Sequence, residues 1–530
     1  MTSKGSLMLM LHAHLPYVNH PGTTDIFEES WFFEAVVETY VPIISMIEKL
    51  AKDGIRPAIT ISISPTLGAM LENKLLEKKL NDYINSRIEL ITKETHNASD
   101  NPLLLKTLKM YEELYSLASE TMQRHQGNLI TPFKQFQQAG LIEVITSSAT
   151  HAVLPLLSHP EALRAQIAVA ADDYQDRFGK KSRGFWMPEC AYDKRLDTYI
   201  KLAGFDYTFM EAHAVKKSRY GVYAPLKTQN GLNIFVRDIA SSKEVWSAKF
   251  GYPGDSSYRE FYRDLGYDAD YEYIKPYLGM GKGRKPLGIK YHRVTGNVDL
   301  AQKALYDPDL AKATIARHAE DFLTKRLKQM DDIYSDSSIK PIIIGCYDAE
   351  LFGHWWFEGP AFVEAIIRRI REERLPLQFV LPGEYIDSCQ EPETIEPDIS
   401  SWGENGYFDP WINEFNDEIY PNIIATTERM IETAGRFKNQ TIDNVTTRAL
   451  NQASRETLLS QNSDWPFLMY INSHSDYAFS RINDHCANAN QLLTQIIEKN
   501  IDKSFLSELE NRNNIFTRID FRVFSPASRF

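Results

Sequence analysis

The sequence predicts an α/β fold: a parallel β/α barrel with a helical insertion and a C-terminal α-helical domain. Three observations predict it. Short apolar runs recur over the first 390 or so residues, each closed by a polar side chain and followed by a helical pattern. Residues 65–135 interrupt that alternation with Leu71, Leu75, Leu76, Leu80, Ile84, Ile88 and Ile91 at helix spacing. Beyond about residue 390 the pattern turns helical again.

The runs follow in order. Leu7–Leu11 leads to His12, and Ala58–Ser64 follows Arg56-Pro57. Leu141–Ser147 leads to His151, Gly184–Met187 to Glu189, and Tyr207–Met210 to Glu211 and His213. Ile234–Arg237 leads to Asp238, Pro341–Tyr347 to Asp348, and Leu377–Leu381 to Glu384. Near-continuous apolar runs mark strands buried on both faces. Polar residues just past strand ends collect at one rim of a closed barrel, where such barrels build active sites. Eight candidates favour closure and leave open whether seven or eight strands form the ring. An open doubly wound sheet would also bind at its strand C-termini. However, no Gly-x-Gly-x-x-Gly follows the first strand, which weakens a dinucleotide-binding reading.

The expected organisation is a catalytic barrel over 1–390 and a helical domain over 391–530 that contributes to the site. The 65–135 insertion is too long for an ordinary loop. Glu391–Asp398, with Pro392, Pro397 and four acidic residues, reads as a linker. Phe250–Asp255 has two glycines and a proline around Tyr252 and reads as the tip of a lid loop spanning about 247–261. Tyr252 and Tyr258 both lie on that loop.

Composition narrows the function classes. A chain of 530 residues with 43% hydrophobic and 25% charged residues reads as an ordinary globular protein. Basic residues number 59 against 71 acidic, a formal net charge of −12, so nucleic acid and anionic membranes are not expected partners. No apolar stretch reads as a membrane span. Cys190, Cys346, Cys389 and Cys486 are far apart without a Cys-x-x-Cys pair, which suggests a reducing compartment; a cytoplasmic monomer is the expectation.

Two stretches carry chemistry. In Gly184–Glu189, Pro188 ends the strand's bonding and Glu189 projects from its end, with Trp186 nearby to stack on a ligand face. In Pro341–Glu350, Asp348 falls just past the aliphatic core, and Glu350 shares its face two residues on; sequence alone does not choose between them. His354-Trp355-Trp356 follow closely. Two carboxylates from different strands with aromatic walls are the equipment of a glycoside-cleaving enzyme. His12-x-His14, with Asp25 and His151, could instead hold zinc in a metal-dependent hydrolase or deacetylase. The same rings could equally bind sugar hydroxyls, and a non-catalytic glucan-binding protein is a third class.

His12–Tyr17, His151–Leu157, Gly184–Tyr192, Tyr347–Pro360 and Ser463–Met469 together resemble the five ordered motifs of glycoside hydrolase family 57. Within it the likeness is to the 1,4-α-glucan branching group, which includes proteins called α-amylases. The resemblance implies a (β/α)7 barrel and a retaining mechanism on α-glucans such as amylose or glycogen, with no cofactor and no catalytic metal. It places Glu189 as nucleophile and Asp348, rather than Glu350, as general acid/base. His12, His14 and His151 would line the donor sugar site, with Trp186, Arg259, His354, Trp402, Trp411 and Asp464 at the glucan. Retention implies carboxyl groups roughly 5–5.5 Å apart, with surroundings that push their pKa values apart. α-Amylase or 4-α-glucanotransferase activity on the same pair is the alternative, and Tyr252 or Tyr258 on the lid loop is expected to favour transfer over hydrolysis.

Overall fold

The computed structural model describes residues 3–22, 27–247, 249–279, 283–389 and 391–526. Its strands are β1 (Gly5–Ala13), β2 (Ile59–Ile63), β3 (Ile142–Ser147), β4 (Gly184–Trp186), β5 (Tyr207–Met210), β6 (Leu226–Thr228), β7 (Asn233–Val236), β8 (Ile342–Asp348), β9 (Leu377–Phe379) and β10 (Glu393–Ile395). All eight expected runs contain a strand. Seven of these strands are parallel neighbours in the order β7-β5-β4-β3-β2-β1-β8. The curled sheet closes where the Asp238 N–H, just past β7, donates to the Ile344 carbonyl on β8 at 2.8 Å.

The eighth run does not join the ring. β8 pairs with β1 from Ser6 to His12, so β2 and β9 share the other edge of β1. There β2 takes Met10–Ala13 and β9 takes Gly5–Leu7. Two short strands were not expected: β6 pairs antiparallel to β7, and β10 pairs with β6. Glu391–Asp398 is therefore partly strand rather than linker, with Glu391 also held by Lys227 at 2.8 Å.

Strand alternation decides what faces inward. Met8 and Met10 of β1 and Ile342, Ile344 and Cys346 of β8 pack in the barrel interior with Trp186, Phe209 and Phe235. Leu7, Leu9, Leu11, Ile343 and Tyr347 pack against the outer helices. His12 and Asp348 continue the inward series, and the register sets them side by side.

The insertion comprises the helices Pro65–Leu71, Lys74–Asn97, Pro102–Arg124 and Ile130–Gln138, the first three capped by Ser64, Asn73 and Asn101. Each cap side chain accepts an otherwise unpaired first-turn N–H. The C-terminal region is built from Tyr420–Phe437, Asn444–Ser460, Asp464–Tyr470, Ser475–Ile497 and Lys503–Arg512. One helix, Glu28–Lys52, is long and apolar enough to cross a membrane by composition, contrary to expectation, but its apolar window is 78% buried and it serves as a core helix. It contains a π-turn at Val36–Tyr40.

Candidate active site

The strand ends bring His12, His14, His151, Glu189 and Asp348 to one rim, and two distant segments complete the cluster. Glu189 sits directly after Pro188, which follows β4, in a left-handed conformation at φ 61°, and Cys190 follows at φ 50°. His151 is also left-handed, at φ 57°. Such backbone is costly for residues with a Cβ, and it gathers where the fold must aim a side chain.

Glu189 is held by residues more than two hundred positions away in sequence. Trp402 Nε1–H donates to its Oε2 at 2.8 Å, and Ser463 Oγ–H donates to its Oε1 at 3.1 Å. Ser463 also bonds His151 Nδ1 at 2.7 Å. Since its hydroxyl proton points to the carboxylate, His151 Nδ1–H must be the donor in that contact. His151 Nε2 is then an acceptor and takes its proton from His12 Nε2, 2.8 Å away. His12 Nδ1 in turn accepts from the Ser62 hydroxyl at 3.1 Å. The relay Ser62–His12–His151–Ser463 thus points every donor toward Glu189. Burial holds both His12 and His151 well below the usual histidine range, so the rings are neutral as the relay requires.

His14 stacks on His151 with centroids 3.6 Å apart and donates Nε2–H to Asp464 at 2.9 Å. Its Nδ1 faces the Ser64 hydroxyl at 2.8 Å. The three histidines are thus engaged by hydroxyls, a carboxylate and each other. Asp25, the fourth residue considered for zinc, lies outside the described residues.

Burial pushes the Glu189 carboxyl up to about 7, opposed by the Trp402 bond. Burial also pushes Asp348 well above the usual carboxylate range, reinforced by Glu350, Glu189 and Asp464 and opposed by Arg237. Both acids are therefore raised above the ordinary carboxylate range. The difference lies in their neighbours: Glu189 has two donors, and Asp348 accepts no hydrogen bond among the described residues. Glu350 is committed elsewhere, accepting from the Tyr40 hydroxyl and from the His14 N–H. The Cys190 and Cys346 thiols are buried, which pushes both up, next to the Arg237–Glu211 ion pair at 2.7 Å.

Several expected glucan contacts are placed differently. Trp186 is sealed, so it is no open stacking face; it supports His12 and Trp402, each with ring centroids 5.0 Å away. Trp411 is buried among Val153 and Ala191. Arg259 is buried in an ion pair with Glu38 at 2.5 Å, and His354 Nδ1 donates to the same Glu38 at 2.8 Å. Tyr252 and Tyr258 face the body of the protein: Tyr252 donates to Asp321 at 2.7 Å and Tyr258 meets His318 at 2.9 Å, both on the helix Pro308–Ser337. Phe250, at the loop tip, is the exposed aromatic there, at 82%. Sequence reasoning missed Ser62 and Ser64, small hydroxyls at the end of the second apolar run, and assigned no role to Ser463 although it opens the fifth motif.

Residues 8–398 match glycosyl hydrolase family 57, and residues 422–524 match the C-terminal region described as 1,4-alpha-glucan branching enzyme, C-terminal. The chain is 31% identical to the 1,4-alpha-glucan branching enzyme TK1436 of Thermococcus kodakarensis over 97% of this chain and 77% of that one. Among solved structures it is similar to the alpha-amylase AmyC from Thermotoga maritima, with a TM-score of 0.92, 38% identity and 99% of each chain covered. It is also similar to the GH57-type branching enzyme from Pyrococcus horikoshii, with a TM-score of 0.89, 29% identity and coverage of 99% and 98%.

Proposed function

The chain belongs to glycosyl hydrolase family 57, and from that premise we propose that it is a 1,4-α-glucan branching enzyme. The observation that carries this is the reach of the C-terminal region into the barrel mouth. Ser463 and Asp464 lie within the segment matching the branching-enzyme C-terminal region, and they hold Glu189 and His14.

In the proposed reaction the ionised Glu189 attacks the anomeric carbon of a bound α-1,4-glucan. The bond to the departing 4-oxygen breaks as Asp348 supplies its proton, leaving a β-linked glycosyl-enzyme. Asp348, now a base, takes the proton of an acceptor 6-hydroxyl as that oxygen attacks the same carbon and releases Glu189. Two inversions give retention and an α-1,6 branch. Asp464 and His14 are proposed to line the donor sugar, with Trp402 at its edge. The raised pKa of Asp348 supports its role as proton donor; the two hydrogen bonds to Glu189 support its role as carboxylate.

Hydrolysis by the same pair is the second reading, favoured by the name of the Thermotoga neighbour. Incubation with linear amylose separates them, with NMR following α-1,6 anomeric protons alongside reducing-end release. Branching produces new α-1,6 signal with few new reducing ends. Reducing ends without α-1,6 signal would mean that water is the acceptor and would sink the branching assignment.

A further inference from the structure

The segment that follows Asp348 rests on one irregular helix. In the run from Phe27 to Lys52, the Val41 N–H bonds the Val36 carbonyl, five residues back rather than four. Pro42 explains the irregularity. It has no N–H to offer the Glu38 carbonyl, and its ring would press on that carbonyl in a regular helix. One extra residue in the turn relieves the clash, and π-turns of this kind recur at functional sites.

Three consecutive residues of the turn then grip three points of one segment. Glu38 accepts from His354 Nδ1 at 2.8 Å, Thr39 Oγ1 accepts from the His354 N–H at 3.2 Å, and the Tyr40 hydroxyl donates to Glu350. Gly353 is pressed so close that a Cβ would sit 1.9 Å from the Glu38 carbonyl oxygen, and its φ of +122° also calls for glycine. Glu38 is itself fixed by the buried Arg259 at 2.5 Å. Arg259 and His354, expected at the glucan, are thus parts of this clamp.

We propose that the π-turn Val36–Tyr40 is the positioning device for the acid/base carboxylate, with Tyr40 acting on Asp348 through Glu350. This rests on the assignment of Asp348 as acid/base. The charged groups facing Asp348 are Glu350, Glu189, Asp464 and Arg237. Those facing Glu350 include His14, with Tyr40 as its hydroxyl donor. Donation from Tyr40 favours the charged form of Glu350, and that charge opposes loss of the Asp348 proton. Without the hydroxyl, Glu350 stays protonated to higher pH. Asp348 then lacks its like-charged neighbour and gives up its proton at lower pH.

The test is the pH profile of kcat for branching. Tyr40→Phe keeps the ring, and its alkaline limb moves down by about one pH unit. Glu350→Gln moves it in the same direction, and the double variant shifts no further than Glu350→Gln alone. A merely structural role would lower kcat at every pH and leave the limb in place; that outcome in both folded single variants overturns the proposal. Glu350→Gln decides alone if Tyr40→Phe does not fold. Asp348→Asn keeps the two readings apart. Loss of turnover on glucan, with an activated aryl glucoside still cleaved, upholds the acid/base assignment, so an unmoved limb then counts against the π-turn alone. An Asp348→Asn enzyme that keeps the wild-type alkaline limb overturns the assignment, and the proposal with it.

Discussion

Glu189 and Asp348 end strands of one barrel, yet their surroundings are opposite in kind. Glu189 receives hydrogen bonds from Trp402 and Ser463, both outside the seven-stranded ring. Asp348 is surrounded by Glu350, Glu189 and Asp464, with Arg237 as the opposing charge. Donors stabilise a carboxylate, and neighbouring acids stabilise its protonated form. In the proposed mechanism, two chemically similar groups take the roles of charged nucleophile and protonated acid, and what encloses each supports its role. The donors to Glu189 come from beyond the barrel, and Asp464 adds to the acids around Asp348, so the C-terminal region bears on the site's chemistry and not only on the fold.

The largest expected effect tests whether the two roles differ at all. Glu189→Gln should lower turnover by more than about 10⁴-fold on every substrate. Asp348→Asn should lower it about 10²–10⁴-fold on glucan and far less on an aryl glucoside whose leaving group needs no proton. Equal losses on both substrates would erase the distinction. Glu189→Gln carries a second signature in stability. The folded protein holds the Glu189 proton up to about pH 7, whereas the ordinary value is 4.5. Ionising this group therefore removes folding stability progressively as pH rises through that window, and the loss persists above it. The variant should be more stable than wild type above pH 7, by on the order of 2 kcal/mol, as measured by urea unfolding at pH 8.

A smaller effect sharpens the comparison from the Glu189 side. The Trp402 bond favours the charged form, so Trp402→Phe raises the Glu189 pKa and moves the acidic limb of kcat up by about one pH unit. Ser463→Ala removes the longer bond, at 3.1 Å, and interrupts the histidine relay; it should move the same limb by about half a unit. Neither should displace the alkaline limb set by Asp348. A joint movement of both limbs would show that the pair titrates as one unit rather than as two independently housed groups.

Much of this was legible in the sequence because it is local. A buried parallel strand announces itself as an apolar run, and parity along the run puts His12 and Asp348 inside together with Met8, Met10, Ile342 and Ile344. What was not legible depends on partners distant in sequence. Leu377–Leu381 looks like any ring strand, and only its pairing with Gly5–Leu7 puts β9 beside the ring. Arg259 and Trp411 are residue types that suit sugars, but Glu38 neutralises the first and Val153 and Ala191 cover the second. Pro42, four residues after Glu38 in an otherwise helical run, was the available signal for the clamp behind Asp348.

The smallest expected effect comes from a region that touches neither carboxylate and so serves as the control. Tyr252 was expected to act as a lid, but its hydroxyl is spent on Asp321 and its ring packs against His318 and Phe362. Tyr252→Phe should lower stability by about 1 kcal/mol through the lost hydrogen bond and leave both limbs and the ratio of branching to hydrolysis unchanged. Urea unfolding and the amylose assay, run on one preparation, check the two halves of that statement. If either limb or the ratio moved, the loop would be coupled to the carboxylates after all. The contrast between the Glu189 and Asp348 sides would then depend on more than the groups in contact with each acid.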